Sequence, residues 1–213
     1  VIVEYADQKV RAVPYDMPII GFKTKNISTL RLWQAEAVQS FDFELFNKQE
    51  YINASASQIL AEDISKVLYP NDDNEAGKIL RIKQEYFFTC ASITDILKKH
   101  IADGNSLSLL HEKIFIQLND THPVFAIPEL IRQLVDVYGL SFDAAFATAL
   151  RAFAYTNHTV MAEALEKWSA GLVRKILPRI YEIIFQINEL FMAEMYAKGL
   201  DRAHIDRIKI IAN

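Results

Sequence analysis

The chain has 213 residues, of which 51% are apolar and 23% charged, with a formal net charge of -4. That composition supplies one sizeable α/β core or a piece of a larger one, and it excludes a disordered chain and a basic nucleic-acid-binding stripe. The single cysteine, Cys90, excludes an internal disulfide and a cysteine-built zinc site and fits a reducing compartment, and no apolar run approaches a membrane span.

In chain order, Val1-Ile2-Val3-Glu4 already reads as strand and lacks the basic start and apolar block of a signal peptide. Val10 to Phe22 is strand-like, with Pro14 and Pro18 pushing it toward an edge, and Thr29 to Trp33 alternates as a second strand. Leu45 to Leu68 is predicted as one helix with Ile59, Leu60, Ile64, Val67 and Leu68 on a face. Pro70-Asn71-Asp72-Asp73-Asn74 breaks it into a loop, and helix is predicted again from Gly77 to about Ile101. Lys98-Lys99-His100 is the one dense basic cluster and reads as a solvated helix end; Ser106 to Glu112 is a connector. Lys113 to Leu118 reads as a buried strand running into Asn119-Asp120-Thr121-His122-Pro123, then a helix over Ile127 to Tyr138 that Gly139 stops. Asp143 opens the next helix, and Ala152 to Tyr155 is a short strand ending in Thr156-Asn157-His158-Thr159. Helix is predicted to resume at about Met161, and Gly171 to Lys198 is almost wholly helical, with Pro178 starting or kinking a helix. The apolar run Ile208-Lys209-Ile210-Ile211 and the strand-like start suggest a piece cut from something larger.

The 6 glycines are too scattered to form a phosphate-cradling loop, so a Walker loop and a dinucleotide fingerprint are absent. Two strands, however, each run into a polar turn that leads toward a helix. In open α/β sheets ligands gather beyond the carboxyl ends of strands, so Asp120, His122 and His158 could face one cleft. Other readings stand beside this one. Asp120 could cap the following helix, and His122 before Pro123 could be structural. A metal set of Asp120, His122 and His158 matches no compact ligand pattern, and no nucleophile elbow supports a Ser-His-Asp triad.

Gln117-Leu118-Asn119-Asp120-Thr121-His122-Pro123, Ala126-Ile127-Pro128-Glu129-Leu130, Phe153-Ala154-Tyr155-Thr156-Asn157-His158-Thr159-Val160 and Glu163-Ala164-Leu165-Glu166-Lys167-Trp168 together resemble the α-glucan (glycogen, maltodextrin, starch) phosphorylase family. Upstream, Ala12-Val13-Pro14-Tyr15-Asp16, Leu30-Arg31-Leu32-Trp33, Val67-Leu68-Tyr69-Pro70-Asn71-Asp72 and Leu80 to Phe87 continue it, so the resemblance covers roughly Val10 to Ile187. It implies an α/β, helix-rich, partial Rossmann-like N-terminal domain of a two-domain glycosyltransferase of GT-B architecture. Residues 1–213 would be the later part of that domain, with the C-terminal cofactor-binding domain absent. The parent's implied activity is phosphorolysis of α-1,4-glucan to glucose 1-phosphate in the cytoplasm, as a homodimer, with pyridoxal phosphate on a lysine of the missing domain. The isolated chain is expected to be inactive and to hold neither cofactor nor metal, with no nucleic-acid or membrane partner.

The resemblance implies roles by residue. His158 matches a histidine whose imidazole reaches the sugar 6-hydroxyl and whose backbone carbonyl lies near the anomeric centre; Asp120 matches an aspartate that would orient that ring. Asn119, Thr121 and His122 would shape the cleft floor, with Asn157 and Thr159 flanking His158. Asp72 and Asp73 fall in the family's mobile gate, with Asp73 and Asn74 standing where animal enzymes have Asn and an aromatic, a departure from their purine inhibitor site. Glu50 to Ile64 matches a helix at the dimer interface. Asn188 matches a position of a remote glucan-storage site, from which Phe185 and Glu189 depart. Two alternatives remain. Another twin-Rossmann glycosyltransferase such as a glycogen synthase lacks the paired turn motifs; a non-catalytic, truncated glucan-binding or dimerising module keeps them.

Overall fold

A computed structural model describes residues 1–39, 41–161 and 165–212. The chain divides into two compact units, Val1–Lys99 and His100–Asn213.

The first unit is built on an antiparallel meander in the order β1 (Ile2–Glu4), β2 (Lys9–Ile20), β3 (Ile27–Ala37). One face is sealed by Val10, Ala12, Trp33 and Ala35, which alternation along the two strands brings together. β1 pairs only with Lys9 to Arg11, so Pro14 and Pro18 fall where β2 has β3 as its sole partner, which suits residues with no N–H to give. Past the sealed part the hairpin exposes Tyr15, Met17, Ile19, Leu30 and Leu32.

The helix predicted from Leu45 to Leu68 is three helices, α1 (Phe43–Asn47), α2 (Tyr51–Ala54) and α3 (Ala56–Lys66). Asp42 caps α1 by accepting the N–H groups of Glu44 and Leu45, and left-handed Gln49 (φ 65°) follows its end. α3 packs on β3, where Ser65 Oγ accepts the Ala35 N–H at 2.9 Å. The long helix α4 (Glu75–Ala102) buries Ile82, Phe87, Cys90, Ala91, Ile93 and Leu97. Polar bonds tie it to the meander: Trp33 Nε1–H donates to Ser92 Oγ at 3.1 Å, and Tyr5 O–H to the Lys83 carbonyl at 2.8 Å. Buried Lys83 itself donates to Asp7 at 2.7 Å.

In the second unit the predicted connector at Ser106 to Glu112 holds a 3-10 turn, Leu107–Leu109, and the short helix α5 (Leu110–Lys113). Buried Leu110 anchors that segment. β4 (Ile116–Asn119) and β5 (Phe153–Thr156) are parallel, in register from Ile116↔Phe153 to Asn119↔Thr156. Between them run α6 (Ala126–Arg132), a π turn at Gln133–Val137 and α7 (Phe142–Ala152), a β-helix-β crossover. The single helix predicted over Ile127 to Tyr138 is therefore split. Gly139 stops it in the left-handed region (φ 74°). Glu129 on α6 is fully buried, with Arg132 donating to both its oxygens at 2.7 Å and Gln133 to one at 2.7 Å. Pairing of this kind is what makes a buried carboxylate tolerable.

The helix predicted to resume near Met161 runs into residues 162–164, which lie outside the described residues; Met161 and residues 165–169 are not helical. α8 (Ala170–Ile176), α9 (Pro178–Ala197) and α10 (Arg202–Ile208) complete the unit, and Pro178 opens α9 rather than kinking it. Arg179 on α9 grips Asp136 at 2.8 and 2.9 Å, and these bonds hold the Asp136 carboxyl below its usual range. Buried Asn188 accepts the N–H groups of Ile210 and Ile211 at 3.0 and 3.1 Å. The class is α/β and helix-rich, with a small parallel pair at its centre of interest.

Candidate active site

The turns that follow β4 and β5 leave the carboxyl ends of adjacent parallel strands, so register alone brings them together. The Asp120 N–H extends the ladder by donating to the Thr156 carbonyl at 2.9 Å. Asp120 then turns left-handed (φ 60°), a conformation that aspartate tolerates better than most residues. This turn sends its carboxylate across to the other strand's loop, where Oδ1 accepts the backbone N–H of His158 at 2.6 Å. A bond from a peptide N–H to a charged carboxylate is among the strong kinds. The structure thus brings Asp120 and His158 together, but through the backbone of His158, not its ring. Nor does Asp120 cap the next helix, because α6 begins at Ala126 with Phe125 in the cap position.

The first turn is braced by a residue to which the sequence reading assigned no role. Glu166 is nearly buried, its side chain 10% exposed. One carboxylate oxygen accepts from Thr121 Oγ1 at 2.9 Å, and the other lies 3.1 Å from His122 Nδ1, a charge pair whenever that imidazole is protonated. His122 is therefore engaged inside the unit. Glu166 lies within the Glu163 to Trp168 motif, and two adjacent polar side chains at a strand end needing an acceptor are the signal that could have singled it out. A further tie crosses the strand ends, from Gln117 Nε2 to Thr156 Oγ1 at 2.8 Å.

The second turn satisfies itself. Asn157 Nδ2 donates to the Thr159 carbonyl at 2.7 Å, and Asn157 Oδ1 accepts the Thr159 N–H at 3.3 Å. Thr159 Oγ1 accepts the Met161 N–H at 3.2 Å. His158 stands exposed between these braced neighbours. So the side chains of Asn157 and Thr159 shape the turn, and His158 is what it presents.

Asp72 and Asp73 belong to the first unit, in the loop that precedes α4. Asn71 Nδ2 donates to Asp73 Oδ2 at 2.8 Å, and Asn71 Oδ1 accepts the Asp73 N–H at 3.1 Å. Asp72 lies 3.7 Å from Arg81, whose guanidinium stands over the Tyr69 ring. Asn74 caps α4 by accepting the Gly77 N–H at 2.9 Å. Gly77 is required there: a Cβ would stand 2.1 Å from the Asn71 carbonyl oxygen.

Comparison with known proteins agrees over nearly the whole chain. The family described as carbohydrate phosphorylase matches residues 2–213. The chain is 48% identical over 207 residues to a glycogen phosphorylase of Saccharomyces cerevisiae, covering 96% of this chain and 23% of that protein. It is 44% identical over 207 residues to a glycogen phosphorylase of Synechocystis, covering 97% and 24%. Against the human liver form the identity is 44% over 206 residues, covering 92% and 24%. The chain thus spans about a quarter of the length of these relatives. No helix among the described residues is long and apolar enough to cross a membrane.

Proposed function

The chain belongs to the carbohydrate phosphorylase family, and we propose that it supplies the sugar-facing turns of a cytoplasmic glucan phosphorylase of GT-B architecture. The reaction is phosphorolysis: a phosphate oxygen bonds to the anomeric carbon as the α-1,4 C–O bond breaks, and the departing glucan oxygen takes the proton that the phosphate gives up, becoming a hydroxyl. Glucose 1-phosphate is the product. One observation carries the reading: exposed His158, held by Asp120, at the carboxyl ends of parallel β4 and β5. As the anomeric carbon gains positive charge, an oriented carbonyl of His158 favours it, while the imidazole is free to meet the 6-hydroxyl. Because the charge exists only near the transition state, that contact serves turnover more than binding. Asp72, Asp73 and Glu75 give their own loop a negative charge that would repel phosphate.

Pyridoxal phosphate, which in such enzymes exchanges a proton with the substrate phosphate, is assigned to other segments. The residues present do not fit it. Buried Lys83 is committed to Asp7 and the Tyr5 ring, and no glycine-rich loop meets a helix start. A dimerising role is also favoured by the exposed apolar set Tyr51, Ile52, Ile59 and Leu60 on α2 and α3, since apolar patches of this kind mark association.

The test is a chimera in which this chain replaces the matching segment of the yeast relative. Glucose 1-phosphate release from maltodextrin is expected, and His158→Ala should lower kcat by on the order of 10²-fold with a smaller change in KM. The isolated chain should show no sustained release. A folded, cofactor-loaded chimera without phosphorolysis would refute the reading.

A further inference from the structure

Resting on that reading, the geometry points to Asp120 and Asn157 as a pair of positioning residues that aim the His158 carbonyl. A carbonyl can act on a reacting carbon only if its peptide plane is fixed. Two consecutive peptide units flank His158. The N–H of the first, between Asn157 and His158, is held by Asp120 Oδ1 at 2.6 Å. The N–H of the second, between His158 and Thr159, is held by Asn157 Oδ1 at 3.3 Å. No peptide bond among the described residues is cis, so each carbonyl points away from its own N–H. Fixing the second N–H therefore aims the His158 carbonyl, and fixing the first anchors the residue from which it projects. Among the described residues, none donates a hydrogen bond to that carbonyl, which leaves it available outward.

The two acceptors differ in reach. Asn157 works within its own turn; Asp120 works from a strand 38 residues away. Asp120 can do so because of its left-handed backbone and its own N–H bond to Thr156. In this arrangement the Asp120 carboxylate acts through the peptide of His158 and has no need to touch sugar or phosphate.

Substitutions separate these demands. Asp120→Asn keeps an acceptor oxygen and the left-handed backbone; Asp120→Gly keeps only the backbone freedom. Asn157→Asp keeps the acceptor for the Thr159 N–H; Asn157→Ala removes it. Amide hydrogen exchange on the chain and steady-state kinetics on the chimera are the two readouts. In Asp120→Gly the His158 amide should exchange about tenfold faster, and in Asp120→Asn by much less. Turnover should fall on the order of 10²-fold in Asp120→Gly and Asn157→Ala at nearly constant KM, and recover to within a few fold in Asp120→Asn and Asn157→Asp. A His158 amide equally protected in Asp120→Gly would overturn the clamp. So would an Asp120→Asn enzyme as slow as Asp120→Gly with its His158 amide still protected, because the charge would then act directly. A chimera inactive before any substitution refutes the proposed reaction instead, and the exchange data still decide the clamp.

Discussion

The loop before α4 and the paired turns after β4 and β5 both rely on Asn and Asp side chains, yet these are held in different ways. In the loop the hydrogen bonds of Asn71 and Asn74 close over two or three residues, to Asp73 and Gly77, and Asp72 lies 3.7 Å from Arg81 on α4. At the turns the decisive bonds span 38 residues from Asp120 to His158 and 45 from Thr121 to Glu166. A short-range bond shapes its own loop. A long-range bond makes two strand ends one object. The same kinds of side chain can thus shape a single loop or join two strand ends, the difference lying in the distance each oxygen reaches along the chain.

The largest effect is expected where that reach is cut. Asp120→Val puts a β-branched residue in the left-handed region and removes the acceptor, and should destabilise the chain by about 2–3 kcal/mol in urea titration. Asp120→Gly, which loses the bond without the strain, should cost about 1 kcal/mol, and equal losses in the two variants would show that the bond and not strain dominates. Gly77→Ala comes next. Alanine favours helix by up to about 1 kcal/mol, but its Cβ meets a backbone oxygen at 2.1 Å, and the clash should win, for a net loss of about 2 kcal/mol. Asn71→Ala, which cuts only bonds inside an exposed loop, should change stability by less than about 1 kcal/mol.

The smallest effect is a pH dependence on the surface of the second unit. Arg179 holds the Asp136 carboxyl below its ordinary value, so the folded state favours the ionised form. That contribution is complete above the ordinary aspartate range, about pH 4, and fades as pH falls through the depressed folded value. The stability gap between wild type and Arg179→Leu should therefore be flat at neutral pH and close in acid. A gap that widened in acid would contradict the assigned sign.

Much of this was legible beforehand for a physical reason. An apolar strand ending in a polar turn has few places to go, and two such units near one another in the chain tend to lie side by side. That reasoning brought Asp120 near His158 and set both turns at strand ends. It could not tell which atom of His158 the carboxylate would hold, because that depends on the left-handed turn at Asp120, and spacing carries no φ. Glu166 escaped for a related reason: its partners are fixed by the path of the chain between α7 and α8, which has no periodicity to read. In the first unit, apolar spacing from Leu45 to Leu68 suggested one helix, whereas left-handed Gln49 follows the end of α1 and Ser55 separates α2 from α3. Of the face that this spacing groups together, Ile64 is buried while Ile59, Leu60, Val67 and Leu68 are exposed, because α3 turns Ala61 and Ile64 inward and ends at Lys66.

Cys90 lies 3% exposed on α4 and is the chain's one thiol. A reagent that alkylates free thiols can reach it only when that part of α4 parts from its neighbours, so each labelled molecule records one past opening. Intact mass then counts such events directly, as a single added adduct with no competing product. With reagent concentrated enough that alkylation outruns reclosing, the rate of adduct formation gives the lifetime of the closed first unit without any engineered probe, and Gly77→Ala should shorten it while Asp120→Gly leaves it alone.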